Sequence, residues 1–244
     1  TRVHFYQAKR GRLILGYETQ RLIPVGITKR LLAKKLANSL ISNSKRIFHN
    51  KSLLKMEGKP MTRLIFLGAP GAGKGTQAES LSSDRQIAHI STGDILRQVV
   101  AEESELGLQA KAYIDRGDLV PDTLVIELIR NRLNQSDTTN GWILDGFPRN
   151  LSQAEVLEGL LDELDQSCDS VIYFEVPQET LVTRMLERGR KDDNEVTVRR
   201  RLNVYEEQTV PLVDFYKQRG YLKIVDGSVG IADVTSSLQE AILA

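Results

Sequence analysis

Cysteine is almost missing from this 244-residue chain, where Cys168 stands alone. One thiol cannot build an internal disulfide framework or a multi-cysteine zinc site, so the disulfide-stapled secreted classes are excluded and a reducing compartment is expected. Cys168 itself reads as core filler. Long apolar runs are missing too: no uninterrupted stretch approaches the roughly 20 residues that cross a bilayer as a helix. A membrane span is thereby set aside and a soluble protein expected. There is no internal repeat, and 41% hydrophobic with 27% charged residues is the composition of an ordinary globular protein. The last scarcity is local. Residues 1–60 hold only Glu18 and Glu57 as acids against 14 Lys and Arg, so they carry +12 while the remainder carries −11. The overall charge of +1 hides two different kinds of polypeptide.

The basic part contains no nucleotide-like motif. Its apolar patches are short: Leu13 to Leu15, and Leu31 to Ile41, the latter interrupted by Lys34 and Lys35 and suited to a basic amphipathic helix. An organelle-targeting peptide, a nucleic-acid arm and a segment lying on an anionic membrane all fit such a composition. Lys59-Pro60-Met61 stands directly before a strand-like run, which suits Met61 as a translation start. Residues 1–60 are therefore read as a basic extension, poorly ordered or partly helical, with targeting and polyanion binding as the lesser alternatives.

From Met61 onward, short apolar runs alternate with longer helical patterns. Leu64 to Leu67, Trp142 to Leu144, Val171 to Val176 and Leu222 to Val225 read as strands, and His89-Ile90 as a fifth. Runs that are apolar on both faces suit buried parallel strands joined by crossover helices, which predicts an α/β, doubly wound parallel sheet. Asp94 to Glu102, Leu106 to Asp115 and Asp122 to Leu133 read as successive helices, a candidate mobile insertion. Glu195 to Gln218, interrupted at Pro211, and Ile231 to Leu243 complete the helical pattern. His89 reads as a packed histidine rather than a catalyst.

Gly68-Ala69-Pro70-Gly71-Ala72-Gly73-Lys74-Gly75-Thr76 follows the first of these strands and precedes a helix. Glycines at that spacing let backbone N–H groups converge on phosphate oxygens, and the helix N-terminus adds free donors and a favourable dipole. Lys74 supplies a mobile positive charge, so Gly71, Ala72, Gly73, Lys74, Gly75 and Thr76 are the candidate phosphate contacts. Gly75 stands where Ser or Thr usually meets magnesium, so the metal is expected to be held mainly by phosphate and water. Asp145, closing the strand Trp142 to Leu144, would emerge at the ligand-binding edge of the sheet, placed to orient magnesium-bound water.

The loop together with Ser91-Thr92-Gly93-Asp94, Asp145-Gly146-Phe147-Pro148-Arg149 and Arg190-Lys191-Asp192-Asp193, in this order, resembles the adenylate kinases. The resemblance covers residues 61–244 and nothing before them. It implies a P-loop nucleoside monophosphate kinase fold with an NMP-binding insertion over residues 91–120 and a lid over residues 188–194. Arg188 to Lys191 run almost directly into Asp192 and Asp193, so the lid is the short form, and with one cysteine in the chain no structural zinc is expected.

What the resemblance implies for chemistry is reversible transfer from Mg-ATP to AMP giving two ADP, with Mg2+ carried by the ATP, in a cytoplasmic monomer. A UMP/CMP kinase, or a nucleotide-responsive P-loop switch with a nucleic-acid arm, are the alternatives. Phosphoryl transfer needs alignment and charge neutralisation more than a strong base, and a guanidinium matches phosphate bidentately. Arg97, Arg149, Arg184, Arg188, Arg190 and Arg201 are the catalytic candidates on that ground, with Lys74 and Asp145. By resemblance, Arg97 and Arg149 hold the AMP phosphate, Arg184 and Arg188 face the donor, Arg190 and Arg201 bridge the transferring group, and Asp192 and Asp193 steer arginines through ion pairs. Arg199 and Arg200 read as solvated. For the acceptor, Thr92 and Gln153 recognise adenine, Asp118, Leu119 and Val120 form a wall over the base, and Gly146, Phe147 and Pro148 lead into Arg149. Thr92 could instead cap a helix, and Gln153 could be surface.

Overall fold

A computed structural model describes residues 4–8, 12–16, 62–190 and 192–243. The chain divides into two units, Thr1–Gly58 and Lys59–Ala244. In the first, β1 (His4–Ala8) pairs antiparallel with β2 (Arg12–Gly16), His4 opposite Gly16. The extension was expected to be poorly ordered or partly helical, and these two strands are the part of it that the structure describes. HFYQA and RLILG are rich in aromatic and branched residues that favour a pleated backbone, a local signal outweighed in reading the segment by its charge. The helix expected over residues 31–41, and any targeting or polyanion-binding role resting on it, lies outside the described residues.

The second unit is built on five parallel strands in the order β4-β5-β3-β6-β7, where β3 is Thr62–Leu67, β4 Ala88–Ser91, β5 Gly141–Asp145, β6 Ser170–Glu175 and β7 Leu222–Asp226. All five expected strands are present, and the reason is visible in how β3 is buried. Leu64 and Phe66 belong to one apolar layer and Ile65 and Leu67 to the other, so a continuous hydrophobic run is required where helices cover both faces. One layer is closed by α1 (Lys74–Arg85) through Ala78 and Leu81, α6 (Gln178–Arg188) through Leu181 and Met185, α7 (Glu195–Val204) through Val198 and Leu202, and α9 (Ile231–Leu243) through Val234 and Leu238. The other is closed by α4 (Asp122–Leu133) through Val125, Ile129 and Leu133, α5 (Leu151–Glu163) through Leu157 and Leu160, and α8 (Pro211–Gln218) through Leu212 and Tyr216.

The chain leaves β3 toward β4, returns through β5, and then crosses to β6 on the other side of β3. That reversal opens a crevice at the carboxyl ends of β3 and β5, the place where open α/β sheets bind ligands. Register brings the two ends level, Phe66 facing Asp145.

The helices between β4 and β5 that the sequence predicted are α2 (Thr92–Ala101), α3 (Glu105–Arg116) and α4. All three place buried side chains in the same apolar layer, α2 through Leu96 and α3 through Ala110, and α2 and α3 lie within the insertion expected over residues 91–120. Side-chain caps define these starts: Ser91 accepts from Asp94 N at 3.3 Å and Ser104 from Gly107 N at 3.0 Å. The cap of α2 is thus Ser91 and not Thr92. The expected 195–218 helix is also more divided than a proline break alone suggests. Between α7 and α8 lies a wide π-helical turn, Tyr205–Thr209, in which Val210 N reaches back to Tyr205 O at 3.0 Å. Pro211 has no N–H to donate, and the ladder widens just before it.

Candidate functional site

The crevice is a cavity of about 590 Å³, a size suited to ligands of drug or nucleotide dimensions. Its floor is the loop between β3 and α1. Gly73 holds φ +89° as the residue before α1, a conformation L side chains rarely adopt, and no side chain caps the helix start, so its N–H groups remain available. Gly68 is needed for space: a Cβ there would lie 2.8 Å from Phe174 O. Lys74 folds over the loop and donates to Gly68 O at 2.8 Å and Ala69 O at 2.9 Å. Burial lowers its pKa to about 8, opposed by the charge of Asp145 and assisted by Arg149 and Arg188.

Asp145 stands opposite. Burial pushes its pKa up, but His89, Lys74 and Arg149 outweigh that, and the carboxyl ends below its usual value. The His89 imidazole, read from sequence as merely packed, has Nε2 3.5 Å from Asp145 Oδ2. A Cβ at Gly75 would lie 3.6 Å from the same oxygen, so the residue lacking a hydroxyl faces the carboxylate directly. An ionised oxygen donor lining the cavity beside the phosphate loop fits magnesium held through water, as hard cations that keep their waters prefer.

All six singled-out arginines line this cavity, together with Asp192 and the segment Asp118, Leu119 and Val120. They come from four parts of the chain. Arg97 lies on α2 against Asp94 at 2.5 Å, and Arg149 donates its Nε to Gly146 O at 2.7 Å. Arg188 ends α6, Arg190 follows it, and Arg201 comes from α7. Asp193 ties the last three together. Its side chain, fully buried, accepts two bonds from Arg188 at 2.8 Å each, one from Arg201 at 3.2 Å and one from Arg190 N at 3.2 Å. Asp192 pairs with Arg201; burial pushes its pKa up, but that bond, the charges of Arg201 and Arg97 and a backbone hydrogen bond together bring it below its usual value. Arg149 is pulled below its ordinary pKa by burial and by the charges of Arg201 and Arg97. For Arg190 the same two effects apply, the neighbours being Arg188 and Arg97. A cavity whose cations are desolvated and repel one another is stabilised by an incoming polyanion.

Arg184 was expected to face the donor phosphates, and it lines the cavity. Its guanidinium donates to Gly227 O at 2.8 Å and Ser228 O at 3.2 Å, filling otherwise open carbonyls of the loop after β7. That loop was missed from sequence. Gly227 and Val229 of that loop, with Ile231 and Val234 at the start of α9, line the cavity beyond the phosphate loop and carry no motif. Gln77, also missed, is buried on α1 and donates to Ile231 O at 3.1 Å, joining the loop to the phosphate cradle.

Four expected site residues do not line the cavity: Thr92, Phe147, Gln153 and Asp193 are buried behind its wall. Gln153 is 1% exposed, and its amide is engaged with Arg149 N and Asp122, which excludes the surface alternative. Thr92 is 2% exposed and its Oγ1 has no hydrogen-bond partner among the described residues, a buried group of the kind a ligand satisfies. Phe147 precedes the cis-peptide to Pro148, and Thr209 of the π-helical turn donates to Arg149 O at 2.7 Å. Arg200 is not merely solvated, since its Nε reaches Asp118 at 2.9 Å, while Arg199 pairs with Glu195 one turn away.

A family model described as adenylate kinase matches residues 66–221. "Adenylate kinase 1" of Nostoc sp. is 50% identical over 179 residues, covering 73% of this chain and 97% of the relative. "Adenylate kinase 1" of Synechocystis sp. is 51% identical over 179 residues, with 73% and 96% covered. "Adenylate kinase" of Leptospira biflexa is 49% identical over 186 residues, with 75% of this chain and all of the relative covered.

Proposed function

The chain belongs to the adenylate kinase family, and from that premise we propose how its residues carry reversible phosphoryl transfer from Mg-ATP to AMP, giving two ADP. The observation that carries the reading is the convergence of Lys74 and six arginines on one cavity with an ionised Asp145.

Donor ATP lays its phosphates along Gly71 to Thr76, with N–H groups at the start of α1 and Lys74 as ligands. Its base lies against Val229 and Ile231, beside the guanidinium plane of Arg184, rather than Arg184 meeting phosphate. Acceptor AMP places its phosphate between Arg97 and Arg149 and its base under Asp118, Leu119 and Val120, read by Thr92 and Gln153. Arg188, Arg190 and Arg201 close on the group in flight, exchanging part of their bonding to Asp192 and Asp193 for phosphate oxygens. Asp145 would hold Mg2+ through water, and the ion would supply positive charge to offset that of the donor phosphates. Alignment and neutralisation then supply the rate, since little proton chemistry is needed until the acceptor oxygen has bonded. The short segment from Arg188 to Asn194 excludes water jointly with the α2–α3 insertion, which protects ATP from hydrolysis before AMP arrives.

We read the enzyme as a cytoplasmic monomer serving adenine nucleotide homeostasis and nucleotide biosynthesis. Among the described residues, no helix is long and apolar enough to cross a membrane. Gln153→Ala tests the acceptor assignment: the KM for AMP should rise by about tenfold or more while that for ATP stays within about twofold, as expected when one polar base contact is lost. Equal weakening of both nucleotides would remove Gln153 from the acceptor site.

A further inference from the structure

Asp122 opens α4, two residues after Val120, and does not line the cavity. Its carboxylate meets two amides at the start of α5. Asn150 Nδ2 donates to its oxygens at 3.1 and 3.2 Å, and Gln153 Nε2 donates at 2.7 Å. At the other end of the same Gln153 amide, Arg149 N–H donates to Oε1 at 2.7 Å. Both neighbours admit one sense only, because a backbone N–H can only donate and a carboxylate can only accept. Turning the amide by half a rotation would set two donors face to face and an oxygen against a carboxylate. Of the four hydrogen-bonding sites on the amide, one N–H and one oxygen lone pair therefore remain, and their order is fixed.

We propose that Asp122 is a positioning residue for acceptor choice: it locks the Gln153 amide so that its two unused sites match a base edge bearing an amino group and refuse one bearing a keto group. The proposal rests on the reading that Gln153 faces the acceptor base. Adenine offers an N6–H donor beside the N1 acceptor, which Oε1 and the free Nε2–H complement. Hypoxanthine has nearly the same outline but offers an O6 acceptor beside an N1–H donor, so inosine monophosphate would meet like with like at both points. The Thr92 hydroxyl rotates and can serve as donor or acceptor, so it cannot make this distinction alone. Discrimination falls on the amide, and the amide's sense falls on Asp122 and Arg149 N.

The experiment compares kcat/KM for AMP and for inosine monophosphate at saturating Mg-ATP, with thermal unfolding alongside, for the full chain and its Asp122→Ala, Asp122→Asn and Gln153→Ala variants. Wild type should prefer AMP by about 10³-fold or more, since a polar site rejects the mismatched edge strongly. Asp122→Ala should reduce that ratio by at least about tenfold, with gain on inosine monophosphate and the KM for ATP unchanged. Asp122→Asn retains an acceptor oxygen and should recover most of the ratio. A purely structural role would weaken both acceptors together, so an unchanged ratio in folded Asp122→Ala overturns the proposal. Should alanine prevent folding, Asp122→Ser decides by the same ratio, because a hydroxyl tolerates either sense of the amide. If Gln153→Ala keeps the wild-type ratio, the base-reading assignment fails and the proposal with it. If Gln153→Ala collapses the ratio while Asp122→Ala preserves it, only the lock is refuted.

Discussion

Lys74→Ala should lower kcat by about 10²–10³-fold, the loss seen when one preorganised charge or donor is removed from a transition state, while the melting temperature stays close to that of wild type. The two halves of this expectation have one cause. Lys74 is held over its loop by two carbonyl oxygens, and burial has lowered its pKa from 10.5 to about 8. Its charge is kept there against the preference of the fold, so removing it forfeits catalysis and relieves a cost. The pH dependence follows with a definite sign. Between about pH 8 and 10.5 the unfolded chain binds more protons at this residue than the folded one, so its contribution to stability rises with pH across that window. Binding behaves oppositely: kcat/KM for Mg-ATP in wild type should fall as pH rises through about 8, when Lys74 of the free enzyme loses its proton. Saturating ATP favours the cation and should carry kcat to higher pH. Turnover near wild type in Lys74→Ala, shown folded by circular dichroism, would contradict the cradle.

Asp193→Ala should damage both stability and turnover. The Asp193 side chain has no exposed surface and takes hydrogen bonds from Arg188, Arg190 N and Arg201. Deleting it leaves neighbouring guanidinium groups without their shared counter-charge, and breaking a buried ionic cluster from one side costs on the order of 3 kcal/mol. For a unit of this size that corresponds to a fall of roughly 6–12 °C in melting temperature. Turnover should fall by about 10²-fold, because arginines misplaced by an ångström no longer align the phosphoryl group. Asp193→Asn keeps the shape but not the charge and should fall between. Calorimetry and steady-state kinetics on the two variants check this, and wild-type values in Asp193→Ala would show that the lid arginines orient without it.

Much of the frame was readable before any coordinates. The five core strands could be found because a parallel sheet covered on both faces needs uninterrupted apolar runs, and β3 and β5 supply them. The phosphate loop was readable because backbone geometry dictates its glycines. The six arginines were found through motifs, and they do share one cavity. What stayed hidden depends on partners distant in sequence. Arg184 meets Gly227 across 43 positions, Arg200 meets Asp118 across 82, and Gln153 reaches back 31 positions to Asp122. Nothing local to any of these residues marks its partner. The wall formed by Val229 and Ile231 was missed for another reason, since an apolar residue in a loop and another at the start of a helix carry no signature until the fold sets them against the cavity. Pro211 announced a break, but the widened turn before it, and the bond from Thr209 to Arg149 O, follow from packing. The β1–β2 pair was obscured by the positive charge around it.

The central claim is that one cavity seats Mg-ATP and AMP together, and the most direct measurement is an acceptor panel. The purified chain is incubated with Mg-ATP and, in turn, AMP, UMP, CMP or no acceptor, and nucleoside di- and triphosphates are separated and counted. Two ADP should form for each ATP consumed with AMP, with little turnover of UMP or CMP and almost no ATP loss in the absence of acceptor. Efficient turnover of UMP or CMP with little of AMP, or steady ATP hydrolysis without any acceptor, would contradict it.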